Sequence, residues 1–419
     1  MIEVLDASPP RSVRVHLTTF RELERHVRDE RKHAGYERLL ADFGVDARRF
    51  SRLARHPRPI LAEQPGCWFG GDDLMRYRLL ARLAEVMGTG APEVLSLASD
   101  AFTCRGGKRD FLLFKLHRRL GSVHLVGASY LRRHRNRVYD ALTISGAARE
   151  RLAALLDTTL AMLGSAALSP AAFADAVLAI FRAGVRPGAR ALLPARCDRR
   201  GLRSFAARLR RYDLEAARRP LAAAREALAE GVSWVGYWDR VNAVFLGTEI
   251  GALGPLFNRF LLAVDDPVKM ARQLIRLCRP AGDEPIAVAA VVAGGAKYRM
   301  VFFDPADERF FYRPRPRRRR PISWDRLREL ARGGRTGGPA GTLEYLLMAA
   351  SGIYLVADPV DGHSRFERDA RRIHELYTGL SFPYVALPAS LCAGEPDYLE
   401  MFAPGFAEQG RAACERFFS

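Results

Sequence analysis

Across residues 14–90 apolar side chains recur at helical spacing among many charges, as at Phe20 and Leu23 and later at Leu79, Leu80, Leu83 and Val86 before Gly88. This spacing predicts a helical lead-in, broken by the stretch from His56-Pro57-Arg58-Pro59 through Gly70-Gly71. The period then changes. Phe111–His117, Val123–Leu131 and Val138–Ile144 are rich in β-formers and separated by turn residues, a pattern that predicts a β-meander. Leu152, Leu155, Leu156, Leu160 and Leu163 form one apolar stripe, which predicts a helix, and residues 171–183 predict a second, Ala-rich one. Residues 201–230 read as Arg- and Ala-rich helix, with Pro220 as the first residue of a new helix and Arg208, Arg210, Arg211, Arg218 and Arg219 on a solvated face.

Strand character returns over Ile286–Ala293, Tyr298–Phe303 and Arg309–Arg313, with Gly294-Gly295 and Asp304-Pro305 as turns. Short helices follow at 323–332 and 342–351. Ile353–Ala357 then reads as a buried strand and Asp358–His363 as a loop. Ser364 and Glu367 have capping-box spacing, and Phe366, Ala370, Ile373 and Tyr377 share one face of a helix that ends at Gly379. Phe382–Leu387 follows as another strand. Such a strand–helix–strand unit places its strands parallel and its site beside their carboxyl ends. On the same helix, His374 and Asp369 read as surface residues. The expected fold class is α/β (or α+β). It comprises a helical N-terminal region (1–90), a β-meander plus helices (91–200), a helical bridge (201–285) and an α/β C-terminal domain (286–419). The two sheet-plus-helix halves share an outline without a residue-level repeat, and a duplicated, acyltransferase-like arrangement is one form this can take.

Composition adds a bias. With 48% hydrophobic and 27% charged residues the 419-residue chain is ordinary for a globular protein. Its net charge is +19, and arginine supplies all but five of the 66 basic side chains. GC-rich codons can produce such a skew, and so can selection for a partner, since a planar guanidinium binds phosphate or carboxylate with two N–H groups at once. The six cysteines show no paired metal-binding spacing, and buried, reduced thiols are expected. Neither of the longest uncharged stretches, Thr158–Ala174 and Leu376–Gly394, reads as a membrane span, and the N-terminus has no signal-peptide core. A cytoplasmic location is expected.

Several constellations can carry chemistry. In Arg335-Thr-Gly-Gly338-Pro-Ala340-Gly341 small residues allow backbone N–H groups to approach a phosphate. The Arg335-x-x-Gly338-x-Ala340 spacing resembles the pyrophosphate-binding loop of the GNAT acyltransferases, and Leu376-Tyr377 with Phe382 resembles the ending of that fold. Two features depart from the pattern: a helix, not a strand, precedes the loop, and the segment before the tyrosine is too long. The resemblance implies a phosphate-bearing donor such as coenzyme A, held by Arg335, Gly338 and Ala340; the alternative is a Gly/Pro connector.

Asp358, Asp361 and His363 place three ligand-type side chains within six residues. Asp361 can orient His363 as a general base, or the three can contribute to a metal site with further ligands; turn chemistry explains them equally well. Cys104-Arg105-Gly106-Gly107-Lys108 offers an anion-cradling turn through Arg105 and Lys108, or a plain basic hairpin. His117 and His124 read as satisfied sheet histidines. In Arg313-Pro-Arg315-Pro-Arg317-Arg318-Arg319-Arg320-Pro321 the charge density forbids burial and proline keeps the backbone extended, so this run either follows a phosphate backbone or is a solvated loop. Arg132, Arg133, Arg135 and Arg137 can extend the same basic surface. Trp234, Tyr237 and Trp238 read as core aromatics. Glu249 lies in an apolar stretch where burial would raise its pKa, which makes it a secondary acid/base candidate.

The expectation from these residues is a transferase moving an acyl or aminoacyl group from a phosphate-bearing donor, acyl-coenzyme A or aminoacyl-tRNA, to a small amine or hydroxyl. Arg335, Gly338 and Ala340 would hold phosphate, Arg317, Arg318, Arg319 and Arg320 would steer the donor, and His363 would remove the proton. Coenzyme A or aminoacyl-tRNA enters this reading as the donor substrate, and no metal ligand is assigned in it. The alternatives are a non-catalytic nucleic-acid-binding or regulatory protein and a metal-dependent hydrolase or oxygenase at Asp358, Asp361 and His363.

Overall fold

Two separate sets of apolar side chains organise the chain, one wholly helical and one built on a sheet. The computed structural model describes residues 28–46, 48–50, 143–183, 198–252, 254–278, 284–293, 297–315, 317–337, 365–380 and 398–406. Strands β1 (Glu3–Val4) and β2 (Val15–His16), short strands at 60–63, 93–96, 110–111 and 127–128 and single positions elsewhere are also described.

The helical core uses nearby segments. Helices Gly146–Gly164, Pro170–Arg182, Arg199–Leu209, Leu214–Glu230 and Trp234–Leu246 follow one another, each turning its apolar stripe inward. Leu152, Leu155, Leu156 and Leu163 are buried, as their spacing predicts, and Leu160 packs against them. Local signals set the boundaries. Ser169, Asp198, Asp213 and Ser233 each accept a backbone N–H bond of the first turn, and Gly231 and Gly247 end their helices in the left-handed region. Pro220 is a correction: it lies inside the continuous helix Leu214–Glu230. A proline there removes a backbone bond, at a cost of ~3 kcal/mol. The buried face of Ala217, Leu221, Ala224 and Leu228 holds the helix through that site. Tyr237 and Trp238 are core residues, and Tyr398, Leu399 and Met401 of a 3-10 turn close the cluster.

The second core gathers distant segments. Helix α1 (Glu30–Asp42) is capped by Asp29, which accepts from the Arg31 N–H, and ends before Gly44. A Cβ at Gly44 would lie 2.9 Å from the Asp266 carbonyl, and its φ of +70° suits glycine, so this turn admits little else. The sheet runs β8 (Ile286–Ala293), β9 (Lys297–Asp304), β10 (Arg309–Arg315) and β11 (Arg318–Pro321), with β12 (Thr336–Gly337) beside β8. Every pairing is antiparallel, in the order β11-β10-β9-β8-β12. Alternation sends Val301, Phe303 and Phe310 into the core, where they meet Phe257, Phe260 and Leu261 of helix Gly254–Ala263 and Leu327 and Leu330 of helix Trp324–Arg332. Helix Pro267–Cys278 adds Met270 and Leu274, and helix Arg365–Thr378 adds Ile373. The residues 201–285 thus supply helices to both cores.

A third element is a short parallel sheet of β3 (Ile60–Glu63), β4 (Glu93–Ser96) and β7 (Ile250–Ala252), with β4 central. Strand β3 falls inside the break expected at 56–71, while the two-residue strand Val15–His16 corrects the start of the helical reading. Within the expected meander, β5 (Asp110–Phe111) pairs antiparallel with β6 (Gly127–Ala128); the rest of the meander lies outside the described residues. So do the expected helix at 342–351 and the strands at 353–357 and 382–387. The architecture is a mixed helix-and-sheet fold. Among the described residues no helix is long and apolar enough to cross a membrane.

Candidate polyanion interface

The run from Arg313 to Pro321 forms a paired structure, not a single extended strand. Phe310, Phe311 and Tyr312 drive it: alternation puts Phe310 in the core and Phe311 on the opposite face, so β10 is anchored from both sides. On the β9 side the ladder ends at Tyr312↔Val301. On the β11 side it continues through Tyr312↔Arg320 to Arg315↔Arg318. Residues 313–315 and 317–320 therefore continue beyond the last β9 pair as a two-stranded ribbon. Pro314 has no N–H to offer a third strand, which fits the place where the ladder stops. An irregularity between Tyr312 and Arg315 adds one residue to β10 and with it local twist.

Arginine fills six of the eight positions from 313 to 320, with no acidic residue among them. Arg313, Arg317, Arg318, Arg319 and Arg320 are all exposed. Two are held in place. The rings of Phe302 and Phe311 stack at 5.6 Å. The Arg313 guanidinium sits 5.1 Å from the Phe302 centroid and 5.6 Å from that of Phe311, and Arg319 sits 4.6 Å above Phe311. Arg319 also pairs with Asp304, whose other oxygen accepts the Ala306 N–H at 3.1 Å and so fixes the β9–β10 turn. Among the described residues Asp304 is the only acidic partner on the ribbon. The arrangement presents planar N–H edges, oriented before any ligand arrives, in the geometry that suits phosphate oxygens.

The remaining expected site residues are dispersed. Arg317, Arg318, Arg319 and Arg320 lie together on the ribbon. Arg335 is also exposed, but its backbone N–H donates to Leu330 O and its carbonyl accepts from Val292 N, which fixes it beside β12. That is the opposite edge of the sheet, four strand intervals or ~19 Å from β11. Glu249 corrects the burial expected for it: it is exposed, just before β7. Asp361, His363, Gly338, Ala340, Arg105 and Lys108 lie outside the described residues. So do Asp358, His117, His124 and Arg132 to Arg137. Among the described residues no group of three His, Cys, Asp or Glu side chains could hold a metal.

A second polar cluster lies between α1 and helix Arg365–Thr378. His374 is buried, not on the surface as expected, and its Nδ1 shares a 2.8 Å hydrogen bond with the Tyr36 hydroxyl. Lys32, one turn earlier on α1, is also buried, and the loss of water pulls its ammonium down to about 8. Burial pushes the Tyr36 hydroxyl well above its ordinary value. Nearby, Gln273 Nε2 donates to the Tyr377 hydroxyl at 2.6 Å, which donates to Asp42 at 2.7 Å; burial first, then Asp42, pushes Tyr377 up to about 12. Lys32 and His374 are too enclosed to meet a ligand, so this cluster reads as helix-joining structure.

The ribbon's aromatic support escaped the sequence reading. Phe302 and Phe311 fall on flanking strands about a turn at Asp304–Glu308, and folding that hairpin on paper would have paired them. No family model, curated protein or solved structure matches the chain.

Proposed function

We propose that this protein binds nucleic acid through the arginine ribbon of β10 and β11. The observation that carries the proposal is the held pair Arg313 and Arg319 over Phe302 and Phe311, flanked by Arg318 and Arg320 on a fully exposed edge strand and by the exposed Arg317 just before it. Phosphate polymers release counterions when arginines neutralise them, so clustered guanidiniums gain far more than dispersed ones. Acyl or aminoacyl transfer, the sequence-based expectation, rests on Asp361 and His363 outside the described residues and on Arg335 at the far edge. Within that proposal the ribbon would steer a tRNA-borne donor, so binding is the step common to both.

Arginines on an edge strand also discourage edge-to-edge aggregation, and the test separates the two roles. The full chain is titrated into labelled mixed-sequence DNA at several salt concentrations, beside the triple variant Arg317→Gln/Arg318→Gln/Arg320→Gln. Binding by the native chain is expected, with a log–log salt slope that falls by about three in the variant, close to one per arginine. A variant that aggregates while its DNA affinity and slope stay unchanged would overturn the proposal.

A further inference from the structure

Resting on that reading, we infer that the ribbon's ligand is double-stranded, B-form DNA, entered through the major groove and held by its phosphates rather than its bases. Proteins that hold single strands do so by stacking bases on open aromatic faces. Here the faces are occupied: Phe302 and Phe311 stack on each other and carry Arg313 and Arg319. On this face of the ribbon both described rings are already covered, and the part-buried Tyr312 points to the other face, where it pairs with Arg320.

The distribution of charge points the same way. Phe311 pairs with Pro321, and Arg313 and Arg319 share that face. Tyr312 pairs with Arg320, so Arg320, and Arg318 two residues before it, project from the other face. Guanidiniums thus stand on both sides of a thin two-stranded blade. A duplex groove offers two rows of phosphates, one to each side, whereas a single strand offers one. Two strands ~4.8 Å apart with their side chains fill a width of ~10–12 Å, which matches the major groove of B-DNA. The deep, narrow major groove of an RNA duplex does not admit such a blade.

The experiment measures fluorescence anisotropy of the full chain with four probes. They are a mixed-sequence DNA duplex of about two helical turns (~20 base pairs), one of its single strands, an RNA duplex of the same sequence and vesicles containing phosphatidylserine. Duplex DNA is expected to bind about tenfold or more tightly than either the single strand or duplex RNA, with weaker association to vesicles. Arg313→Gln and the pair Arg318→Gln/Arg320→Gln, which remove opposite faces, should each weaken duplex binding by about tenfold per arginine near 0.1 M salt. All three positions are exposed, so an unchanged melting midpoint separates a lost contact from a lost fold. A single strand or RNA duplex bound as tightly as duplex DNA, or one face whose removal changes nothing, overturns the groove inference and leaves nucleic-acid binding standing. Binding to vesicles with no affinity for any nucleic acid overturns both.

Discussion

The two cores differ in the polar contacts they lean on. In the helical core the buried hydroxyls of Thr158 and Thr159 bond to carbonyls one turn back, at Ala154 and Leu155, and Tyr398 reaches across to the Ala217 carbonyl. Around the sheet core the buried polar groups are joined across great sequence distance: Tyr36 to His374, Thr336 to Asn258, and Gln273 through Tyr377 to Asp42. Arginine follows the same division. On the helices Arg225 pairs with Asp157 at 2.7 Å, Arg199 with Asp175 at 2.9 Å and Arg240 with Glu230 at 2.7 Å. On the ribbon, among the described residues, Asp304 alone answers the run of positive charge. The helices place acids beside their arginines and the ribbon, Asp304 apart, does not, and that difference in charge pattern is what the proposed binding rests on.

Charge reversal should separate the two regions most sharply. Arg317→Glu with Arg318→Glu removes two phosphate contacts and adds repulsion, so affinity for DNA should fall about a thousandfold near 0.1 M salt. The matched reversal Arg199→Glu with Arg225→Glu should lower it less than about threefold, since both of these arginines have acidic partners. Equal losses in a binding titration would mean that net charge, not the ribbon, attracts the ligand.

The next largest effect belongs to Lys32. Its ammonium is held near 8 in the folded chain, against 10.5 for an exposed lysine. Below about pH 8 both states are charged and the folded state bears the whole burial penalty, up to ~3 kcal/mol. As pH rises from 8 towards 10 the folded state loses its proton first, so stability should rise. Above 10 the buried tyrosines Tyr36, Tyr237 and Tyr398, raised by burial, act in the opposite direction. Lys32→Met should therefore melt higher than the native chain at pH 7, by an amount that shrinks as pH approaches 10. A gap independent of pH would show that Lys32 carries no burial penalty.

These contrasts also mark what the sequence could reveal. Strand Ile286–Ala293 and the helix at 324–332 were legible from period and turn chemistry, because their signals lie within each segment. The burial of His374 was not. Its neighbours Arg372 and Glu375 make that stretch look like surface, whereas in the fold it meets Tyr36, 338 residues away. Pro220 misled because proline's preference for first helical turns is local, whereas the buried face that carries the helix through it is tertiary. For the site, arginine density was visible, but the ribbon was not: its pairing comes from Phe310, Phe311 and Tyr312. Glu249 shows the converse, a side chain within an apolar stretch of sequence that is itself exposed.

The long-range polar contacts should cost more to break than the local ones. His374→Phe leaves the buried Tyr36 hydroxyl without its partner, and a loss of ~1–3 kcal/mol is expected from urea unfolding. Thr159→Val in the helical core removes a hydroxyl bonded to a carbonyl of its own helix, so a loss under ~1 kcal/mol is expected. The reverse order would mean that the sheet core's polar contacts contribute little to its cohesion.

The smallest contrast lies between two ion pairs. Arg225 and Asp157 are both well exposed, at 37% and 54% of their side chains, whereas Arg319 meets an Asp304 side chain only 10% exposed. Exposed pairs typically contribute ~0.2–1 kcal/mol and weaken with salt. Arg225→Ala should accordingly cost less than ~1 kcal/mol, a difference that fades in about 1 M salt. Arg319→Ala should cost somewhat more, ~1–2 kcal/mol, because it leaves a nearly buried carboxylate without its cation and uncovers Phe311. Only the Coulombic part of that loss is open to screening; the stacking on Phe311 is not, so much of the Arg319 effect should survive in high salt. If the two variants respond alike to salt, the ribbon's arginines are held no more firmly than those of the helices, and the orientation argued for them fails.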